Sequence, residues 1–125
     1  MIDFDNKGIL KLRGESLKAG ENAVKDLLIP GEIIVGSYVS VRDRVVFTNK
    51  RIISCNVQGL SGKKIDYTSI PYSKIQTFSV ETSGMLDLDA ELEVWLSGIG
   101  KVKFELAGGV DIKALCQTIS AFILN

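Results

Sequence analysis

From Glu32 to Leu106 the sequence reads as a series of β-strands, and apolar and polar residues alternate most strictly in Asp87-Leu-Asp-Ala-Glu-Leu-Glu-Val-Trp-Leu96. Leu88, Ala90, Leu92, Val94 and Leu96 fall on one face, and Asp87, Asp89, Glu91, Glu93 and Trp95 on the other. That period predicts a strand with one buried and one wet face, as in an antiparallel sheet. Lys101-Val-Lys-Phe-Glu-Leu106 alternates in the same way. Aligning Val94 with Phe104 and Leu96 with Val102 leaves Gly98-Ile-Gly100 as a three-residue hairpin loop and sets Trp95 opposite Lys103.

Upstream, Ile33 to Val41 and Arg44 to Thr48 read as strands, with Arg42-Asp43 as the polar break between them. Asn49-Lys50 predicts a two-residue hairpin into Arg51–Val57, because asparagine tolerates positive φ; Phe47 then faces Ile52, and Val46 faces Ile53. Gly59 to Gly62 makes the next turn, Lys63 to Ser69 the next strand, and Pro71 an edge or a bend. Lys74 to Thr82 follows, then a break at Ser83-Gly84.

The ends of the chain read differently. Phe4, Ile9, Leu10 and Leu12 are scattered apolar points with no clear period. From Glu15 to Leu28 the spacing is helical, weakened by Gly20 and stopped by Pro30-Gly31. After Gly108-Gly109, Asp111 is a good amino-terminal cap, and Ile112, Leu115, Ile119, Phe122 and Ile123 recur at helical spacing. A single amphipathic helix cannot bury its own stripe, so it must cover the sheet or plug one end of it. The organisation expected is an N-terminal arm and helix over residues 1–29 and a β domain with a C-terminal helix over 30–125, one structural domain overall.

Length and charge narrow the function. At 125 residues there is room for one hydrophobic core. Fifteen cations balance fifteen anions, so the excess positive charge that drives nucleic-acid binding is missing, as is the polybasic character that docks proteins on anionic lipid. Nucleic acid is not expected as a partner, and a membrane is disfavoured. Met1-Ile-Asp-Phe-Asp5 has no basic start and no apolar block, so no secretory signal is expected. Cys55 and Cys116 form no CxxC pair, which fits reduced thiols and a cytoplasmic home.

Catalytic chemistry finds few residues to use. Without histidine, Ser-His and Cys-His arrangements and histidine-bearing zinc sites are excluded. The two cysteines read as small buried hydrophobes. Gly59-Leu-Ser-Gly-Lys-Lys64 lacks the spacing of a phosphate loop. No enzyme activity, cofactor or metal is expected. The acidic row Asp87, Asp89, Glu91 and Glu93 is the sharpest local feature. Neighbours on one face of a strand are about 7 Å apart, too far for a compact calcium cage, so the row reads as a solvated face, or as one that pairs with cations on an adjoining strand or subunit. Arg42, Arg44, Lys50 and Arg51 flank the strand junctions, and the loop holding Arg42 is too short for a wide basic cup.

Several blocks together carry a family likeness. Val41-Arg-Asp-Arg-Val-Val-Phe-Thr-Asn-Lys-Arg51, Gln58-Gly-Leu-Ser-Gly-Lys-Lys64, Ser69-Ile-Pro-Tyr-Ser-Lys-Ile75, Phe78-Ser-Val-Glu-Thr-Ser-Gly84 with Asp87-Leu-Asp-Ala-Glu91, and Gly109-Val-Asp-Ile112 occur in collinear order. Over Leu28 to Leu124 the chain resembles the bacterial pleckstrin-homology-like domain family. The resemblance implies a mainly β fold: a PH-like barrel of seven antiparallel strands capped by the C-terminal α-helix, here with an added N-terminal helical segment. It implies no catalysis and a homo-oligomeric ring. The first quarter of the chain departs most from the family pattern.

The expected function is a self-assembling binding module that mediates protein–protein interaction. Its partner is itself, with another protein as a further candidate; the alternative is a membrane-surface or headgroup-binding module. The residues expected at subunit or partner contacts are Arg42, Arg44, Lys50, Arg51, Asp87, Asp89, Glu91, Glu93 and Trp95.

Overall fold

The β-hairpin expected at Asn49-Lys50 lies at the centre of one half of the molecule, though Asn49 does not adopt the positive φ on which that expectation rested. In the computed structural model, which describes residues 1–2, 9–82 and 89–125, β3 (Arg44–Thr48) pairs with β4 (Arg51–Gln58), Phe47 facing Ile52 and Val46 facing Ile53. These strands carry adjacent apolar residues because both of their faces are covered. Val45, Phe47 and Ile52 enter the main core, while Val46, Ile53 and Cys55 belong to a second, smaller cluster on the opposite face. β2 (Ile34–Val39) flanks β3, and β5 (Lys64–Pro71) flanks β4.

The other half is β6 (Ile75–Glu81), β7 (Ala90–Leu96) and β8 (Gly100–Leu106). Ala90, Leu92, Val94 and Leu96 are buried, as the alternation requires. The register differs from the expected one by two residues: Val94 faces Val102, Leu92 faces Phe104, and Trp95 faces Lys101 rather than Lys103. The loop is still three residues long, but it closes at Leu96 and Gly100, where Gly98 and Gly100 both adopt positive φ. A shift of two keeps every side chain on its face, so the hydrophobic pattern alone does not choose between the registers.

The expected seven-stranded antiparallel barrel needs two corrections. There is an eighth strand, β1 (Ile9–Gly14), and the sheet is open, in the order β5-β4-β3-β2-β1-β8-β7-β6. β1 joins the halves, pairing antiparallel with β2 through Arg13 and Gly14 and parallel with β8 through Ile9 and Leu12. Its register shifts between those two contacts, at Lys11, whose φ is +60°. A strand that changes partner midway presents no single alternating face, which is why its residues look unpatterned.

Among the described residues, two α-helices complete the fold. α1 (Leu17–Val24), capped by Ser16 and extended by a 3₁₀ turn over Lys25–Leu27, is shorter than the Glu15–Leu28 span expected. Val24 belongs to the second cluster with Val46, Ile53 and Cys55, with Ala23, Leu28 and Ile34 packed against it, so α1 covers the outer face of β2–β4. α2 (Ile112–Ile123) has its first turn capped by Asp111, whose carboxylate accepts the Ala114 N–H at 3.0 Å. Ile112, Leu115 and Ile119 enter the main core, and Phe122 stacks on Tyr72 with ring centroids 5.6 Å apart. Phe4, the Ser83-Gly84 break, Asp87 and Leu88 lie outside the described residues.

Candidate interaction surfaces

The outer face of β7 and β8 places the acidic row against lysines of its own chain. Lys103 lies 3.5 Å from Glu91 and 3.7 Å from Glu93, and Lys101 lies 3.4 Å from Glu93. Lys11, on β1, reaches Asp89 at 3.3 Å and Glu105 at 3.9 Å. Asp89 also accepts the Gly108 N–H at 3.1 Å. Four carboxylates thus meet three lysines along three adjacent strands. Each exposed pair stabilises by at most about 1 kcal/mol. Their effect is to neutralise the row and hold its side chains in place. Trp95 stands among them, 44% exposed, with the Lys101 ammonium 5.2 Å from its ring centroid. Asp87 lies outside the described residues.

The basic residues do not form one surface. Arg44 makes two bonds to Glu15, at 2.6 and 3.1 Å, and Ser37 Oγ donates to the same carboxylate at 2.6 Å. Arg51 makes two bonds to Glu32, at 2.9 and 3.0 Å, and donates to the Leu27 carbonyl at 2.7 Å and to Ser69 Oγ at 2.9 Å. Thr48 Oγ1 adds a bond to Glu32 at 2.7 Å, and the Ile29 N–H another at 3.1 Å. The Glu32 side chain has no solvent exposure. These clamps hold the segments on either side of α1 against the sheet, and they lie at opposite ends of the β3–β4 hairpin. Arg42 donates to the Gly59 carbonyl, tying two turns together, while Lys50 is exposed at the hairpin tip.

Burial shifts the titrations inside these clusters. The Arg44 guanidinium and the Ser37 hydroxyl hold the Glu15 carboxyl below its ordinary value against the opposing effect of burial. For Glu32, burial acts upward, but the bonds from Arg51, Thr48 and the Ile29 N–H together outweigh it and the pKa is lowered. Burial pushes the Cys55 thiol up to about 11, so it is a packed thiol and a poor nucleophile at neutral pH.

Among the exposed apolar residues that sequence reasoning missed, four stand on β5 and the turns near it. Ile65 and Tyr67 project from the outer face of β5, the first strand in the sheet order. Val41 and Leu60, 96% and 103% exposed, stand on the two turns joined by Arg42. Alternation in Lys64-Ile-Asp-Tyr-Thr-Ser-Ile70 marks Ile65 and Tyr67 as sharing a face opposite Ile70. Only the structure shows that, among the described residues, α1 covers the neighbouring strands and leaves this face of β5 partly exposed. Two clefts are also present: one of about 600 Å³ between β1–β2 and the start of α2, and one of about 580 Å³ between β6 and α2.

A curled open sheet, filled by a main apolar core and capped at one end by a C-terminal helix, describes a pleckstrin-homology-like domain. The chain belongs to the bacterial PH domain family, whose model matches residues 4–123. A DUF1696-family protein with a pleckstrin-homology domain from Shewanella loihica PV-4 is 36% identical, with a TM-score of 0.79 over 91% of this chain and 98% of that one. A pleckstrin homology domain from Shewanella amazonensis SB2B is 39% identical, with a TM-score of 0.69 over 89% and 90% of the two chains. The uncharacterized proteins YjqA and YozO of Bacillus subtilis are 46% and 39% identical over 83 and 66 residues. The matched segments are 66% and 53% of this chain and span 66% and 57% of those relatives. Among the described residues, no helix is long and apolar enough to cross a membrane.

Proposed function

We propose that this chain is a non-enzymatic assembly module that forms a homo-oligomeric ring and presents its free surfaces to a protein partner. The observation that carries this reading is the pair of unlike apolar patches at separate places in the strand order: Trp95 on β7, and Ile65 with Tyr67 on β5. Heterologous contact, in which one patch meets a different patch on the next copy, generates rings when the rotation closes. Of the basic residues expected at contacts, Arg42 and Lys50 are exposed. Arg44 and Arg51 act indirectly, by fixing α1 and the hairpin.

Light scattering on the purified protein tests the reading. The expected result is one species whose mass is a multiple of 13.6 kDa larger than a dimer. Trp95→Ala and Tyr67→Asp should each shift it towards the monomer without changing the circular dichroism spectrum. A monomeric unmodified chain at micromolar concentration overturns it. One observation favours a second reading, contact with a membrane surface. Val41 and Leu60 are fully exposed on adjoining turns, with Arg42, Lys63 and Lys64 near them. Co-sedimentation with anionic vesicles, lost in a Val41→Ser, Leu60→Ser double variant, would support it; no sedimentation at low salt removes it.

A further inference from the structure

Ile29 and Ile33 are 54% and 59% exposed on either side of Pro30-Gly31, and the exposed Leu27 precedes them. Assembly through Trp95 and Tyr67 makes no use of these side chains. The backbone that carries them is braced from within. The Glu32 N–H closes the turn on the Ile29 carbonyl at 3.0 Å, with Gly31 at a φ of +82°. The Ile29 N–H donates to the Glu32 carboxylate at 3.1 Å, and the Ile33 N–H to Asn49 Oδ1 at 2.9 Å. Asn49 donates in return, from Nδ2 to the Gly31 carbonyl at 3.1 Å and from its backbone N–H to the Ile33 carbonyl at 3.0 Å. Proline has no N–H to place. Over 29–33 only the Gly31 N–H is left without a partner among the described residues. A turn with its polar backbone satisfied internally and its apolar side chains outside is built for a place where water is scarce.

The surroundings are basic, although the chain as a whole is neutral. Lys50 stands at the hairpin tip beside Asn49. Lys25 opens the 3₁₀ turn that leads to Leu27, whose carbonyl is held by Arg51. Lys74 ends a second 3₁₀ turn, Tyr72–Lys74, in which the Tyr72 N–H donates to the Lys50 carbonyl at 3.4 Å. All three lysines are exposed, and among the described residues none makes a salt bridge. On these segments Asp26 is the one exposed carboxylate, since Glu32 is buried against Arg51. The residue types favour a bilayer over a protein partner. Protein interfaces are poor in lysine and rich in aromatic residues and arginine. Here aliphatic tips stand beside lysines, which can lay their stems along apolar surface and keep their charge at the level of lipid phosphates.

We propose that the turn over 29–33 docks on an anionic membrane surface, with Ile29 and Ile33 entering the interface and Lys25, Lys50 and Lys74 meeting lipid phosphates. The site lies at the opposite end of β3 from Val41. It therefore turns the molecule the other way up from a contact made through Val41 and Leu60. It does not depend on assembly, which is read by mass and not by lipid.

The test sediments the full chain at low salt with vesicles of phosphatidylglycerol and phosphatidylcholine in equal parts. The chain should pellet with them and not with phosphatidylcholine alone, and added salt should release part of it. Lys50→Gln should weaken binding about fivefold, the effect of one cation beside a charged surface. Ile29→Ser combined with Ile33→Ser should weaken it by more than about tenfold, with circular dichroism unchanged. A gain-of-signal variant guards against misfolding: on vesicle addition, Ile33→Trp should add blue-shifted emission, absent from the unmodified chain, that brominated acyl chains quench. The proposal is overturned if the unmodified chain stays in the supernatant, or if neutral vesicles bind it equally well. It is also overturned if Val41→Ser with Leu60→Ser abolishes binding while the isoleucine variant keeps it, which would place the lipid at the other end. No vesicle binding, together with a lower light-scattering mass for the isoleucine variant, would assign the turn to contact between copies instead.

Discussion

Gly20 stands in the middle of α1, where glycine lowers helix stability by about 1 kcal/mol relative to alanine. Its reason is contact with β2. A Cβ at this position would lie 2.4 Å from Ser37 Oγ and 2.6 Å from Ser37 Cβ, and the Ser37 hydroxyl cannot swing aside without leaving Glu15. Gly20→Ala should therefore destabilise the protein by about 1 kcal/mol net, since overpacking costs about 1–3 kcal/mol and the gain in helix propensity offsets only part of it. Urea unfolding measures this, and a stabilised variant would mean that α1 is held less closely. The sequence shows the glycine but not its cause, because the neighbour it touches is seventeen positions away.

Glu15 and Glu32 set the response to acid. Both have pKa values below the ordinary 4.5 in the folded chain. Such a carboxylate contributes stability that is fully present above its unfolded pKa and is lost as pH falls through the folded value. Thermal melts from about pH 6 to pH 3 should show a falling midpoint over the lower part of that range. Glu32→Gln should be less stable at neutral pH, where Arg51 loses its partner, and its midpoint should vary less with acid. Neither ion pair could be assigned from sequence: Arg44 and Arg51 are prominent there, but their partners lie 29 and 19 residues away in the segments flanking α1.

At the scale of elements, those built from local signals were legible. The Asn49-Lys50 hairpin, the buried face of β7 and the Asp111 cap each depend on a few neighbouring residues, and each stands where the pattern placed it. α2 also follows its periodicity, and it closes the core by inserting Ile119, which has no exposed surface. Ile119→Ala should cost about 2–5 kcal/mol, measured by chemical denaturation, with the β-sheet signal and the α-helical signal lost together in one transition. A separate early loss of helix would show α2 to be an appendage instead of part of the core. β1 and the β7–β8 register were not legible. The first has two partners of opposite direction, and the second is one of two alignments that bury the same face.

For the whole molecule, the resemblance gave the fold family and the capping helix, while closure was over-read. Seven alternating strands suggest a closed sheet because closure removes both edges. Here β5 and β6 remain terminal and β1 enters between the halves. The candidate contact surface was legible in part. Trp95 stands out as the one aromatic on an acidic face, but the match to Ile65 and Tyr67 depends on which strand the fold leaves at its margin.

The position of β1 has a consequence for how the protein is made. Ile9 leaves the ribosome well before Phe104, the residue with which it pairs. The two halves of the sheet can each gather from hairpins of short sequence span, but the strand between them must wait for every later strand before it can settle beside β8. Pairings this distant in sequence slow folding because the loop must be closed before the contact can reward it. The nascent protein therefore carries its central strand unpaired on that side until β8 has been made.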